Sequence, residues 1–324
     1  MTARRRVRPR RVTLDACAKL NLGLAVGPRR ADGYHDLITV FQSVSLADTL
    51  TATRTTRGFA LTVRHEDVAL RGGDARRDRG RVPAGRDNLV LRAARLVHER
   101  FALPGGVRFT LVKRIPTQAG MGGGSADAAA ALDAVIRLHG LRVSRAERMA
   151  MALELGSDVP FACLGGTALG QGRGEGLKSL RLAAPFRAVV AMPVWRISTA
   201  DAFRRHHLNG NSLTPWEGHR RFAASLGRRR VSAPALLRRG NRFEELLGQH
   251  RRDFDSLCAR LHAAGARHPR MTGSGSAVFA IVPSGGSVRE IVDRFVGEEP
   301  LYEVRSTAKG LRLRSSGRHD DVHG

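Results

Sequence analysis

Apolar residues alternate through Val12, Leu14 and Ala16 and again through Leu20, Leu22 and Leu24, and Gly27-Pro28 ends the run. This period of two predicts one or two strands over residues 11–27. Strand-like runs recur between 37 and 64, in LITVFQSVSL and FALTVRH. From 65 to 86 the period disappears and Gly, Arg and Asp dominate, which predicts an exposed loop. From Leu89 the run LVLRAARLVHERF takes helical spacing, Pro104-Gly105-Gly106 ends it, and VRFTLV reads as a strand. A glycine loop over 116–124 then opens a helix running from Ser125 to Leu138. A further helix, 144–155, begins at Ser144 with Glu147 three residues on, and Gly156 is placed to stop it.

The second half continues with a buried strand over 186–194. The stretch 204–242 is Arg-rich and weakly patterned, and reads as a mobile or helical insert near a domain junction. A helix (253–264), a strand-loop-strand unit (MTGSGSAVFAIV), a helix (287–296) and a strand (302–305) follow, and residues beyond 313 read as a polar tail. No internal repeat is present. Strands and helices interleave without a regular βαβ beat, which predicts an α+β fold.

Composition narrows the function classes. A chain of 324 residues, 42% hydrophobic and 26% charged, is that of an ordinary globule with one to three domains. No apolar run approaches the roughly 18 residues of a membrane helix, so no membrane partner is expected. The net charge is 55 − 29 = +26, yet only Lys19, Lys113, Lys178 and Lys309 are lysines. The arginines are spread along the chain, which favours codon bias over a nucleic-acid surface, and no specific nucleic-acid partner is expected. Cys17, Cys163 and Cys258 form no CxxC pair, so neither zinc nor a disulfide framework is supported, and a reducing cytoplasm is the expected compartment. The basic run Arg4-Arg5-Arg6 lacks the apolar segment of a secretory signal.

The strongest chemical signal is PTQAGMGGGSADAAAAL, 116–132. Glycines without Cβ atoms let a backbone approach a ligand, and loop N–H groups plus a helix N-terminus form an anion site. The loop lacks the lysine of a P-loop, and Ser125 stands at the third glycine of a dinucleotide fingerprint. The plainer reading is a glycine-rich turn capped by Ser125. In GSDVPFACLGG, Asp158 is either the cap of a short helix containing Pro160 or a carboxylate held as a base. Lys19 stands inside a strand run of a chain that has almost no lysines; alone, it reads as a snorkelling side chain. MTGSGSAVF is a second glycine loop, and DGYHD exposes Tyr34 and His35 in a turn.

Taken in order, AKLNL, RADGYH, DNLV, the glycine loop, GSDVPF with GRGE, and TGSGSAVFA resemble the GHMP kinase superfamily. RADGYH and GSDVPF with GRGE narrow the likeness to the branch that phosphorylates a CDP-linked methylerythritol in the non-mevalonate isoprenoid route. The resemblance implies a two-domain fold with a deep interdomain cleft: a basic lead-in (1–11), an N-terminal domain (12–180), a C-terminal domain (181–312) and a tail (313–324). It implies ATP and Mg2+, and transfer of the γ-phosphate to the 2-hydroxyl of the CDP-linked substrate. Lys19 and Asp158 would be the catalytic pair. Thr117, Gln118, Ala119, Gly120, Met121, Gly122, Gly123, Gly124, Ser125, Ala126 and Asp127 would wrap the ATP phosphates. Tyr34 and Phe203 would sandwich the cytosine and His35 would read its edge. Asn21, Thr199, Gly273, Ser274 and Gly275 would complete the substrate wall. A monomer or homodimer is expected. The alternatives are a kinase of the same superfamily acting on homoserine, mevalonate or a sugar, a nucleic-acid binder on this fold, and an inactive kinase.

Overall fold

The computed structural model describes residues 9–71, 82–208, 216–226 and 230–317. Strands β1 (Arg11–Arg29) and β2 (His35–Thr55) form one long antiparallel hairpin. β1 runs as a single strand although its register against β2 slips between Cys17 and Lys19, between Asn21 and Leu24 and between Val26 and Arg29. Such slips re-aim the side chains around them and recur beside active sites.

β2 carries two neighbours on one edge. Leu37–Gln42 pair with β5 (Thr167–Gly172), and Thr49–Thr55 pair with β4 (Gly106–Lys113), which holds β3 (Phe59–His65) in parallel. β6 (Gly176–Leu182) and the short β8 (Arg230–Val231) extend the β5 edge. On the far edge β12 (Leu311–Gly317) pairs with β1. The tail expected beyond 313 is therefore in part a strand. Its alternating arginines are the polar face of an edge: Arg314 and Arg312 lie 2.6 and 3.4 Å from the Asp15 carboxylate. The chain leaves this eight-stranded sheet after Leu182 and re-enters it at β8 and β12.

Helices α1 (Leu89–Arg100), α2 (Gly123–His139) and α3 (Arg145–Leu155) pack with this sheet in one core. Ser144 caps α3 by accepting from the Glu147 N–H at 3.1 Å. α2 starts two residues earlier than expected, with Gly122 as its N-cap at φ 71°, so Ser125 lies inside the helix. Its run of alanines brings the α2 backbone close to Leu14, Leu50 and Phe109.

The second sheet is antiparallel throughout, in the order β11 (Leu301–Arg305), β7 (Arg187–Ala191), β10 (Val278–Ile281), β9 (Arg267–Met271). Ala188, Val190 and Phe279 face the first sheet and pack with Leu20, Leu22 and Val40. Val189, Ala191, Val278 and Ala280 face the opposite way, into a core with α5 (Thr199–Leu208), α8 (Arg251–Ala263) and α9 (Val288–Arg294). The described parts of the Arg-rich 204–242 stretch are mostly helical, including α6 (Trp216–Ser225) and α7 (Ala233–Leu237). Trp216 packs against Gly27, where a Cβ would stand 2.7 Å from the indole. The rest of that insert, part of the expected 65–86 loop, most of the lead-in and the end of the tail lie outside the described residues.

Candidate active site

A cavity of ≈ 1070 Å³ opens between the two sheets. β1, β2, the loop before α2 and the N-terminus of α2 form one wall, and α5 with the 272–276 loop forms the other. Lys19 and Asp158 meet in it, 3.6 Å apart, from positions 139 residues distant in sequence (158 − 19 = 139). Asp158 occupies the N-cap position of the short α4 (Val159–Leu164) yet makes no capping bond with its side chain. The carboxylate is thereby left for Lys19. Asp158 is about one third exposed, while Lys19 is buried. Burial lowers the Lys19 pKa, and the Asp158 charge partly restores it. Lys19 also donates to Asn21 Oδ1 at 2.7 Å and stands 5.7 Å from the Phe41 ring centroid.

The glycine loop closes over this pair. The Lys19 N–H donates to the Met121 carbonyl at 2.9 Å, which stitches the loop to β1. Gly120 and Gly122 both hold φ 71°. A Cβ on Gly120 would stand 2.1 Å from the Thr272 carbonyl oxygen, and one on Gly122 would stand 3.0 Å from Lys19 Cγ. These two glycines serve protein packing as much as ligand approach. Gly124 has only Leu89 near its missing Cβ, at 3.8 Å, and lines the cavity with Gly123 and Ser125. The first turn of α2 thus presents its N-terminus to the open space, a site suited to anions.

Below that turn, Lys113 is buried and bridges two buried carboxylates, Asp48 and Asp127, the latter at 2.8 Å. Burial opposes the ammonium charge, but the carboxylates outweigh it and raise the Lys113 pKa. Burial pushes the Asp127 carboxyl up, the Lys113 ammonium opposes this, and the charge of Asp48 adds to it. Asp127 Oδ1 has no hydrogen-bond partner although it is buried at the cavity.

At the other end, His35 stacks on Phe203 with centroids 5.5 Å apart, and His206 approaches its edge at 5.1 Å. Burial lowers the His35 pKa, and His206, His207 and Arg29 add to the effect, which favours a neutral ring. The Arg173 guanidinium lies 3.8 Å above the Tyr34 ring and donates to Ser157, next to Asp158. Thr199 and Ser274 hydroxyls meet at 2.9 Å and tie α5 to the second glycine loop.

Of the residues expected at the site, all reach the cavity wall except two. Ala126 faces the helical core, because the turn of α2 that aims Asp127 at the cavity aims its neighbour away. Gly275 closes the turn behind Gly273, donating its N–H to the Thr272 carbonyl. Sequence reading did not find Lys113, Arg173 or the segment Val82, Pro83, Asp87, Asn88 and Leu89, which lines the cavity beside Pro116. Two signals were present: Lys113 is one of four lysines, and DNLV is part of the family likeness.

Two family models match the chain: GHMP kinases N terminal domain over residues 88–166, and GHMP kinases C terminal over 223–299. A protein of Moorella thermoacetica named 4-diphosphocytidyl-2-C-methyl-D-erythritol kinase is 40% identical over 298 residues, 91% of this chain and 99% of its own. A crystal structure of a 4-(cytidine 5'-diphospho)-2C-methyl-D-erythritol kinase superposes with a TM-score of 0.69 at 34% identity, covering 91% of this chain and 99% of that one. A homoserine kinase of Cytophaga hutchinsonii reaches a TM-score of 0.68 at 17% identity, over 97% of this chain and 99% of that one, a likeness of fold alone.

Proposed function

The chain belongs to the 4-diphosphocytidyl-2-C-methyl-D-erythritol kinases of the GHMP kinase superfamily, and from that premise we propose how its cleft works. It transfers the γ-phosphate of ATP to the 2-hydroxyl of 4-diphosphocytidyl-2-C-methyl-D-erythritol, a step of the non-mevalonate isoprenoid route. The observation that carries this is the Lys19–Asp158 pair, set between an anion-binding helix N-terminus and an aromatic pocket.

Asp158 accepts the proton of the acceptor hydroxyl as its oxygen attacks the γ-phosphorus, and the bond to the departing ADP oxygen breaks. Lys19 holds the carboxylate in place and stabilises negative charge on the attacking oxygen. Phosphoryl transfer depends mostly on position and charge, so one acid/base pair with a backbone cradle is a sufficient set. The N-terminus of α2 and the loop Thr117–Ser125 hold the ATP phosphates, and the segment Val82–Leu89 with Pro116 takes the rest of the nucleotide. Tyr34 offers its face opposite Arg173 to the cytosine, Phe203 flanks it, and the neutral His35 reads its polar edge. Asn21, Thr199, Gly273 and Ser274 line the path between the two ends.

The residues also fit Mg2+. This ion is usually held by one or two carboxylates plus substrate phosphates. Among the described residues no cluster of three ligating side chains exists, but Asp127 Oδ1 is an unpartnered carboxylate oxygen beside the phosphate cradle and would hold the ion together with the substrate phosphates. Bound there, the ion would neutralise phosphate charge. Among the described residues no helix is long and apolar enough to cross a membrane, and the three cysteines are free thiols, which suits a reducing cytoplasm.

His35→Ala tests the substrate assignment. It raises KM for the cytidine-linked acceptor about tenfold or more, through loss of a polar contact to the base, and leaves KM for ATP near wild type. An equal loss for both substrates would remove the base-reading role.

A further inference from the structure

Lys19 donates to Asn21 Oδ1, yet a primary amide can turn either end towards an ammonium, and only its oxygen accepts. The hydroxyl of Thr39 decides which end faces Lys19. Thr39 Oγ1 spends its one hydrogen on the Gly23 carbonyl, at 2.8 Å. Towards Asn21 it can therefore only accept, and it does so from Asn21 Nδ2, also at 2.8 Å. The nitrogen end is pinned on Thr39 and the oxygen end is aimed at Lys19. Thr272, which follows β9, has that same oxygen at 3.3 Å and the Gly120 carbonyl at 3.4 Å as acceptors for its one hydrogen.

The arrangement depends on the backbone irregularity of β1. The β1–β2 register slips between Asn21 and Leu24. That slip leaves the Gly23 carbonyl free to accept from a side chain. Thr39, Asn21 and Thr272 are all buried, so a wrongly turned amide would leave polar groups unpaired in the protein interior.

We infer that Thr39 is a positioning residue for the catalytic lysine, acting through the polarity of the Asn21 amide. The inference rests on the kinase reading of this site. It assigns Thr39 a role in the chemical step rather than in recognising either substrate. Asp158 is the charged group facing Lys19, and the Phe41 ring, Gly122 and Gly273 form the rest of its surroundings.

The test is a double-mutant cycle of Thr39→Val and Asn21→Ala, with Thr39→Ser as the conservative variant. Thr39→Val lowers kcat about tenfold and leaves KM for ATP within about twofold, and Thr39→Ser restores most of the rate. In the Asn21→Ala background, Thr39→Val costs less than about a further twofold, because the residue it acts through is gone. If Thr39→Val does not fold, Thr39→Cys, a weaker acceptor of similar size, takes its place. A wild-type kcat in the variant, or losses that multiply in the double mutant, overturns the inference. A second readout does not need the substrate to be right: the titration of Lys19, followed by the 15N resonance of its ammonium. Loss of the aimed acceptor moves its midpoint down in the Thr39 variant. An unmoved midpoint overturns the inference, whereas a wild-type chain silent towards the cytidine substrate overturns only the functional reading.

Discussion

At the scale of single residues, the chemistry proposed for this cleft rests on side chains that leave their ordinary roles. Asp158 sits where a helix cap belongs and makes no capping bond. Lys19 is a strand lysine that stays buried instead of reaching solvent. Each residue alone reads either way in the sequence, and their meeting at 3.6 Å supports the catalytic reading. Burial lowers the Lys19 pKa from the ordinary lysine value of 10.5. Turnover needs the ammonium, so kcat falls as pH rises through a midpoint below 10.5. Over the same window the unfolded chain binds more protons at this lysine than the folded one, so its contribution to stability rises with pH. A pH–kcat profile beside melting curves of wild type and Lys19→Met separates the two effects. An alkaline limb at or above the free-lysine value would sink the assignment of Lys19. Lys113 was not legible as a site residue because its partners Asp48 and Asp127 lie 65 and 14 residues away, and only the fold reveals that one ammonium serves both.

At the scale of elements, local signals translated well where the cause was local. Ser144 and Glu147 mark the start of α3, and Gly156 marks its end. The alternation over 11–27 gives a strand, but its slips depend on pairing with β2 and leave no mark in the pattern. Arg314 reads as part of a tail because its partner, Asp15, is supplied from the other end of the chain. The two glycine loops were legible separately, and their contact was not. Gly120 touches Thr272 so closely that a methyl group has no room, and its φ of 71° is unfavourable to any other residue. Gly120→Ala therefore costs about 2 kcal/mol or more in stability and lowers kcat by separating the two walls of the cleft. Denaturant unfolding with turnover checks both. Ser144→Ala, far from the cavity, serves as the comparison: it costs about 1 kcal/mol with kcat unchanged. A Gly120→Ala variant as stable and active as wild type would show that the loops do not bear on each other.

At the scale of the whole molecule, two sheets share a core through Leu20, Leu22, Val190 and Phe279, and the cleft opens beside that core. The α+β class was readable from the order of elements, but the return of β12 to the first sheet was not, since long-range pairing leaves no local period. The net charge of +26 suits capture of two polyanionic substrates, although only part of it lies near the cavity. Phosphorylation of a cytidine-linked acceptor through Asp158, as proposed for this cleft, is open to direct test. The most direct measurement is coupled ADP release with ATP and Mg2+, offering 4-diphosphocytidyl-2-C-methyl-D-erythritol, homoserine and mevalonate in parallel, for wild type and Asp158→Asn. The expected result is turnover of the cytidine compound alone, and its loss in Asp158→Asn while ATP still binds. Turnover of homoserine or mevalonate instead, or an Asp158→Asn variant as fast as wild type, would contradict it.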